Sequence, residues 1–312
     1  MRFSKFFILY VGVISLIPDY LYARNPLAQP ILNVPKIEEV SSDSIRVTTF
    51  LNGAPSFTDN QHRVLYFAKC FLGIPYAGGT LETFPDEHLV VRTDSVDCTT
   101  FVEYVTALAL SDEIRHAGLS TVPKAFVKCA DELQPYTLFK CILKTIRYRK
   151  GVIEGYPSRL HYFSDWIDDN ERKGFVKEVT EDSPFVPLTK DLNFMSSHAS
   201  LYPFLANDTS ALRQIQQVEE RFQNYTMTYI PKEKLGLDND SLHIQNGDIL
   251  TLVTNIKGLD VVHVGFACWK GKHLHLLHAS SAKKEVLIDP ITLYNYSKTK
   301  KAHIGIRVVR IL

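Results

Sequence analysis

The sequence predicts an α+β fold. Helical hydrophobic spacing marks the chain before residue 111, short β-branched runs gather after residue 247, and the two do not alternate as a parallel βαβ fold requires. At 312 residues the chain has room for two domains, or for one domain with a large insertion. Hydrophobic residues make up 45%, enough for a sizeable core and too many for a disordered chain. Lys and Arg number 35 against 34 Asp and Glu, leaving no basic surplus to neutralise nucleic-acid phosphates.

The first residues read as an export leader. Arg2 and Lys5 start it, and Phe6 to Ile17 is an apolar run. That run is too short for a membrane-spanning helix of about 20 residues. Leu21-Tyr22-Ala23 is an imperfect small-residue cleavage site, giving a signal peptide over 1–23 and one domain over 24–312; an uncleaved anchor is the alternative. The first cysteine is Cys70, too distant for lipid attachment beside the leader.

Residues 24–60, rich in Pro, Asn and Ser, form an irregular lead-in with short extended or helical pieces. Gln61 to Leu72 has helical spacing at Val64, Leu65, Phe67, Ala68, Phe71 and Leu72, stopped by Gly73 and Pro75. A turn-rich stretch, Ile74 to Gly79, leads to a short strand candidate at Leu89–Val91. Asp97 suits the N-cap of a helix over Cys98–Leu110, whose stripe is Phe101, Val102, Val105, Leu108 and Ala109.

Residues 111–246 read as a large, mainly helical and irregular insertion, with an exposed helix at Arg213–Arg221. Within it, Cys129 and Cys141 flank Gln134-Pro135 and could bridge a helical hairpin, or stay as buried thiols. Five cysteines leave at least one thiol unpaired within the chain. The last part is strand-like at Asp248–Thr254, Val261–Trp269, His273–Ala279 and Gly305–Leu312.

Cys98 opens a helix, where the positive end of the macrodipole and unpaired N–H groups favour thiolate. Alone, such a cysteine reads more readily as a small buried apolar residue. A partner base changes that reading. Gly271-Lys272 fits a two-residue type II′ hairpin loop, so Lys270 pairs with His273 and Gly265 lies opposite His278. His263 and His278 then share one sheet face as diagonal neighbours, about 7 Å apart at the backbone. His273 and His275 fall on the other face. Gly265 and Ala267 leave space above the sheet where a helix terminus or a substrate can approach.

Asp97-Cys98-Thr99 before an apolar helix, His263-Val264-Gly265-Phe266 and His278-Ala279-Ser280 together resemble the NlpC/P60 cysteine peptidases, which have a papain-like fold and act on bacterial cell-wall peptides. Leu72 to Gly79 is similar to the family's Tyr-and-Gly-Gly approach to the nucleophile, and Gly247-Asp248-Ile249-Leu250 to its strand before the histidine. The long Cys98–His263 separation resembles one branch, described as N-acetylmuramoyl-L-alanine amidase-like. Cys98-Thr99-Thr100-Phe101-Val102-Glu103, the Arg159–Trp166 cluster and Asn193–His198 look like that branch, and the resemblance covers nearly all of the mature chain.

The resemblance implies an antiparallel sheet and a Cys98–His263–His278 triad. The triad would hydrolyse the amide between N-acetylmuramic acid and L-Ala through a thioacyl-enzyme, with no metal or cofactor. Cys98 N–H and Tyr76 would stabilise the oxyanion. Arg159, His161, Tyr162 and Trp166 would meet the sugar or a carboxylate, with Asn193, Met195 and Ser196 as further contacts; each could equally be structural. Glu103 reads as structural or as a supporting partner. The expected partners are peptidoglycan fragments (muropeptides). No nucleic acid and no stable membrane insertion after signal cleavage are expected; the protein should be a monomer, exported to the periplasm of a Gram-negative bacterium. Competing readings are a D-Glu–diamino acid endopeptidase, a zinc hydrolase using His263, His273, His275 and His278, and a non-catalytic wall-binding module.

Overall fold

The computed structural model describes residues 41–82, 86–117, 123–129, 131, 132 and 134–312. The expected leader and its cleavage site lie outside the described residues. The first helices are α1 (Ser42–Asn52), α2 (Asn60–Cys70), α3 (Cys98–Ala117), α4 (Pro135–Arg147) and α5 (Phe163–Lys173). Ser41, Asp59 and Asp97 cap the first three by accepting a backbone N–H two or three residues into the helix. Proline opens α4, where its missing N–H costs nothing. No side chain at the head of α5 caps it; Asp260, distant in sequence, accepts the Ser164 N–H at 2.7 Å instead.

Shorter helices follow as α6 (Phe194–Ser197), α7 (Pro203–Ala206), α8 (Thr209–Glu220), α9 (Asn239–Leu242) and α10 (Leu293–Lys298). The strands are β1 (Val176–Glu178), β2 (Val186–Lys190), β3 (Tyr225–Pro231), β4 (Ile249–Thr254), β5 (Val261–Lys270), β6 (His273–Ser280), β7 (Glu285–Ile288) and β8 (His303–Ile311). They form one antiparallel sheet in the order β2-β3-β8-β4-β5-β6-β7, with β1 also on β8. The architecture is therefore α+β, as expected.

Helices α1 to α4 pack on one sheet face, where Phe101 of α3 meets Phe266 of β5 edge-on at 5.5 Å. On the opposite face Ala267, Leu274, Leu276 and Ile306 pack with Tyr294 and Tyr296 of α10. A third core gathers Tyr162, Met195, Tyr202, Phe222 and Leu259. The β5–β6 hairpin has the expected register, from Lys270–His273 to Phe266–Leu277. Gly271 has φ +59°, the value the first loop position of a type II′ turn needs.

Several expectations change. Segment 111–246 is not only helical and irregular, since it supplies β1, β2 and β3. Leu89–Val91 is not a strand: side chains take its backbone groups, Arg147 donating to Val90 O at 2.7 Å and Arg92 N–H going to the Tyr104 hydroxyl at 2.9 Å. Cys129 and Cys141 do form a disulfide, with Cα atoms 5.5 Å apart, which ties the turn before α4 to α4 itself. Cys70, Cys98 and Cys268 are free thiols.

Candidate active site

Asp97 and Thr100 cap α3 reciprocally. Asp97 Oδ1 accepts the Thr100 N–H at 2.8 Å, and Thr100 Oγ1 accepts the Asp97 N–H at 2.9 Å. The cap sets Cys98 at the first helical position. Packing of Phe101 on Phe266 then carries the head of α3 to the start of β5. The β5–β6 ladder ends at Phe266–Leu277, two residues short of Val264. The Val264 N–H there points to Cys98 Sγ. Val264 is the neighbour of His263, and Cys98 and His263 line the same cavity, of about 320 Å³.

His263 Nε2 lies 2.6 Å from His278 Nδ1, with the rings nearly perpendicular at 84°. Both histidines therefore share a face, as the hairpin alternation predicts. Gly265 serves another purpose than expected. A Cβ on Gly265 would sit 2.7 Å from Leu277 O and 2.9 Å from His278 Cβ, so the glycine admits β6 and His278, not a helix terminus. The α3 helix packs on the Phe266 face instead. The other two histidines go elsewhere: His273 is exposed, and His275 Nδ1 lies 2.9 Å from Asp289 O. Among the described residues no group of three or more His, Cys, Asp or Glu is arranged to hold a metal.

Burial dominates the electrostatics. It pushes the Cys98 thiol up to about 12, with the neighbouring Asp97 carboxylate adding to the effect and the Val264 N–H opposing it. Burial and the Asp97 charge thus act against the thiolate that the helix terminus was expected to favour. Burial likewise holds the His263 imidazole well below its ordinary value, reinforced by His278, His303 and Lys300. The resting pair is a neutral thiol and a neutral imidazole.

The remaining expected residues divide between the cavity and the core. Arg159, His161, Tyr162 and Met195 line the cavity with Cys98. Arg159 is held by Glu82 at 2.6 Å and Glu87 at 3.6 Å, and lies over the Tyr156 ring. His161 Nε2 lies 2.9 Å from Tyr156 O, and burial followed by the Arg159 charge keeps its ring neutral. Tyr162 donates to Glu219 at 2.7 Å and accepts the Met195 N–H at 2.9 Å.

Trp166 is a correction. It is fully buried, stacked on Phe163 at 4.9 Å and absent from the cavity wall, because α5 turns it into the core. Asn193 and Ser196 line a separate groove with Glu219 and Glu220 rather than the Cys98 cavity. Tyr76 is bridged to Val96, just before Asp97, while Gly78 and Gly79 reach the cavity wall. Glu103 is buried against Arg147 at 2.6 Å. Sequence reasoning missed Glu82, Tyr156, Tyr202 and Asp260 on the wall, and Asp289 beside His278.

A family model described as AmiA-like, N-acetylmuramoyl-L-alanine amidase-like, matches residues 66–306. Among solved structures, the chain is similar to an N-acetylmuramoyl-L-alanine amidase from Bacteroides uniformis ATCC 8492, at 35% identity and a TM-score of 0.71, covering 81% of this chain and 99% of that one. It is also similar to a Bacteroides fragilis protein with a provisional xylanase name, at 39% identity and a TM-score of 0.68, covering 78% and 99%. A Legionella pneumophila protein shares the fold at 21% identity, with a TM-score of 0.60, covering 87% and 94%. No curated protein matches the chain significantly.

Proposed function

The chain belongs to the AmiA-like family of N-acetylmuramoyl-L-alanine amidase-like proteins, and on that premise we propose that it is a cysteine-dependent amidohydrolase cleaving the amide between N-acetylmuramic acid and L-Ala in peptidoglycan fragments. The observation that carries this reading is that Cys98 and His263 line one cavity, with the sulfur on the N–H of the residue next to His263.

Cys98 is the nucleophile. The His263 Nε2–His278 Nδ1 contact occupies one nitrogen of the His263 ring and leaves Nδ1 for the thiol proton. Because both partners rest neutral, the proton moves to His263 as sulfur bonds to the lactyl carbonyl carbon. The Cys98 N–H at the head of α3 steadies the oxyanion, and Tyr76 remains the candidate second donor. Collapse breaks the C–N bond, the imidazolium protonates the L-Ala amine, and a thioester remains. Water, deprotonated by His263, releases the muramic acid carboxylate and restores the thiol. His161, Tyr162, Met195 and Arg159 form the wall available to the sugar and lactyl group.

The same reading extends to a papain-like, NlpC/P60-type core carrying an insertion over about 111–246 within one domain, and to an exported, periplasmic monomer. A xylanase would need two available carboxyl groups flanking a glycosidic bond. Of the carboxyl groups on this wall, Glu82 and Glu103 are each paired with an arginine, Asp97 caps α3 and Asp260 caps α5, which favours the thiol chemistry. The test is digestion of an N-acetylmuramoyl tripeptide and weighing of the products. Release of the intact peptide with free L-Ala supports the amidase. Cleavage after D-Glu would instead assign the endopeptidase.

A further inference from the structure

We propose that Asp289 is a positioning residue that fixes the proton arrangement of the His263–His278 pair. The inference deepens the reading of this site as a thiol amidase and rests on it for its kinetic consequences. His278 is buried, and its Nε2 has no hydrogen-bond partner within ordinary distance among the described residues. Facing that nitrogen, 3.5 Å away, is Asp289 Oδ2. Asp289 is itself anchored to β6 from both sides of its backbone. Its N–H donates to Leu276 O at 2.8 Å, and its carbonyl faces His275 Nδ1 at 2.9 Å. The Tyr296 ring stands edge-on to His278 at 5.7 Å and closes the pair on that side.

A carboxylate only accepts. It therefore selects the His278 tautomer with hydrogen on Nε2, which leaves Nδ1 bare. A bare Nδ1 can only accept, so His263 must carry its hydrogen on Nε2 across the 2.6 Å contact. His263 Nδ1 is then bare and able to take the thiol proton. Asp289 thus sets, two rings away, which nitrogen of His263 is basic. The carboxylate is suited to the task. Burial opposes its charge, but the facing His278 ring, the Ile291 hydrogen bond and the nearby Lys283 hold its pKa below the ordinary carboxylate value.

Asparagine at 289 makes a sharp test because Ile291 fixes how its amide would point. Asp289 Oδ1 accepts the Ile291 N–H at 3.1 Å. An asparagine must keep its carbonyl oxygen there, so its NH₂ faces His278 Nε2. That reverses both tautomers and puts hydrogen on His263 Nδ1, toward the thiol. Asp289→Ala imposes neither arrangement.

Imidazole ¹⁵N spectra of the wild-type chain should show Nε2–H on both His263 and His278, and Asp289→Asn should show Nδ1–H on both. On an N-acetylmuramoyl-L-alanyl substrate, Asp289→Asn should lower kcat by about 100-fold or more with KM within about threefold, and Asp289→Ala by only about 10-fold. A loss greater for the isosteric variant than for the truncated one is not what a structural role gives. Wild-type His278 with hydrogen on Nδ1 would overturn the proposal, as would an Asp289→Asn variant with wild-type tautomers and rate. The spectra need no substrate. A wild type that shows the expected tautomers yet leaves the muramoyl–alanyl bond intact would refute the amidase reading while leaving Asp289 in its role.

Discussion

Asp97 acts on Cys98 in two opposing ways. Its side chain caps α3 and so places the sulfur, while its charge raises the thiol pKa. Asp97→Asn separates the two effects, since asparagine caps about as well as aspartate. The variant should keep its stability and alkylate faster at Cys98 with iodoacetamide at pH 8, read peptide by peptide so that Cys70 and Cys268 are scored apart. Asp97→Ala should alkylate faster too, but lose about 1 kcal/mol on thermal or denaturant unfolding. His263 gives a prediction in pH. On the proposed mechanism its imidazole must be neutral to accept the thiol proton, and burial holds its folded value well below 6.5. The acid limb of kcat/KM should therefore fall below pH 6.5. A limb at or above that value would mean that the base is not a desolvated His263.

Two elements, α3 and the β5–β6 hairpin, must meet for the site to exist. On the hairpin side the controlling residue is Gly265. Gly265→Ala would drive a Cβ against Leu277 O and His278 Cβ, and overpacking of this kind costs about 1–3 kcal/mol. Because the displaced strand carries His278, turnover should fall further than stability alone accounts for; a melting curve and a kcat on the same preparation check this. On the helix side, Glu103 joins α3 to α4 through buried Arg147. Glu103→Ala strands that guanidinium and should cost about 3–5 kcal/mol in denaturant unfolding. The Cys129–Cys141 bridge closes a short loop, with a sequence separation of 12, so reduction should cost about 3 kcal/mol and lower the melting temperature.

Across the whole molecule, no helix among the described residues is long and apolar enough to cross a membrane. How much of this was legible depended on the range of the interaction concerned. The Gly271-Lys272 turn and strict strand alternation are local, and they were enough to choose His278 over His275. The Asp97-Cys98 helix start is local too. Residues brought together by distant packing were not legible: Asp260 capping α5, Arg147 drawing Val90 out of any strand, Asp289 behind His278. Trp166 shows the limit for aromatic residues, because a cluster reads the same whether it faces a sugar or the core. The Cys98 thiol shows the limit for electrostatics, since burial is set by the whole fold and here raises the thiol against the expected pull of a helix terminus. The most direct measurement compares the mass spectra of an N-acetylmuramoyl tripeptide after incubation with the wild-type chain and with folded Cys98→Ala. The account predicts free tripeptide and N-acetylmuramic acid from the first and untouched substrate from the second. Equal hydrolysis by both would contradict it.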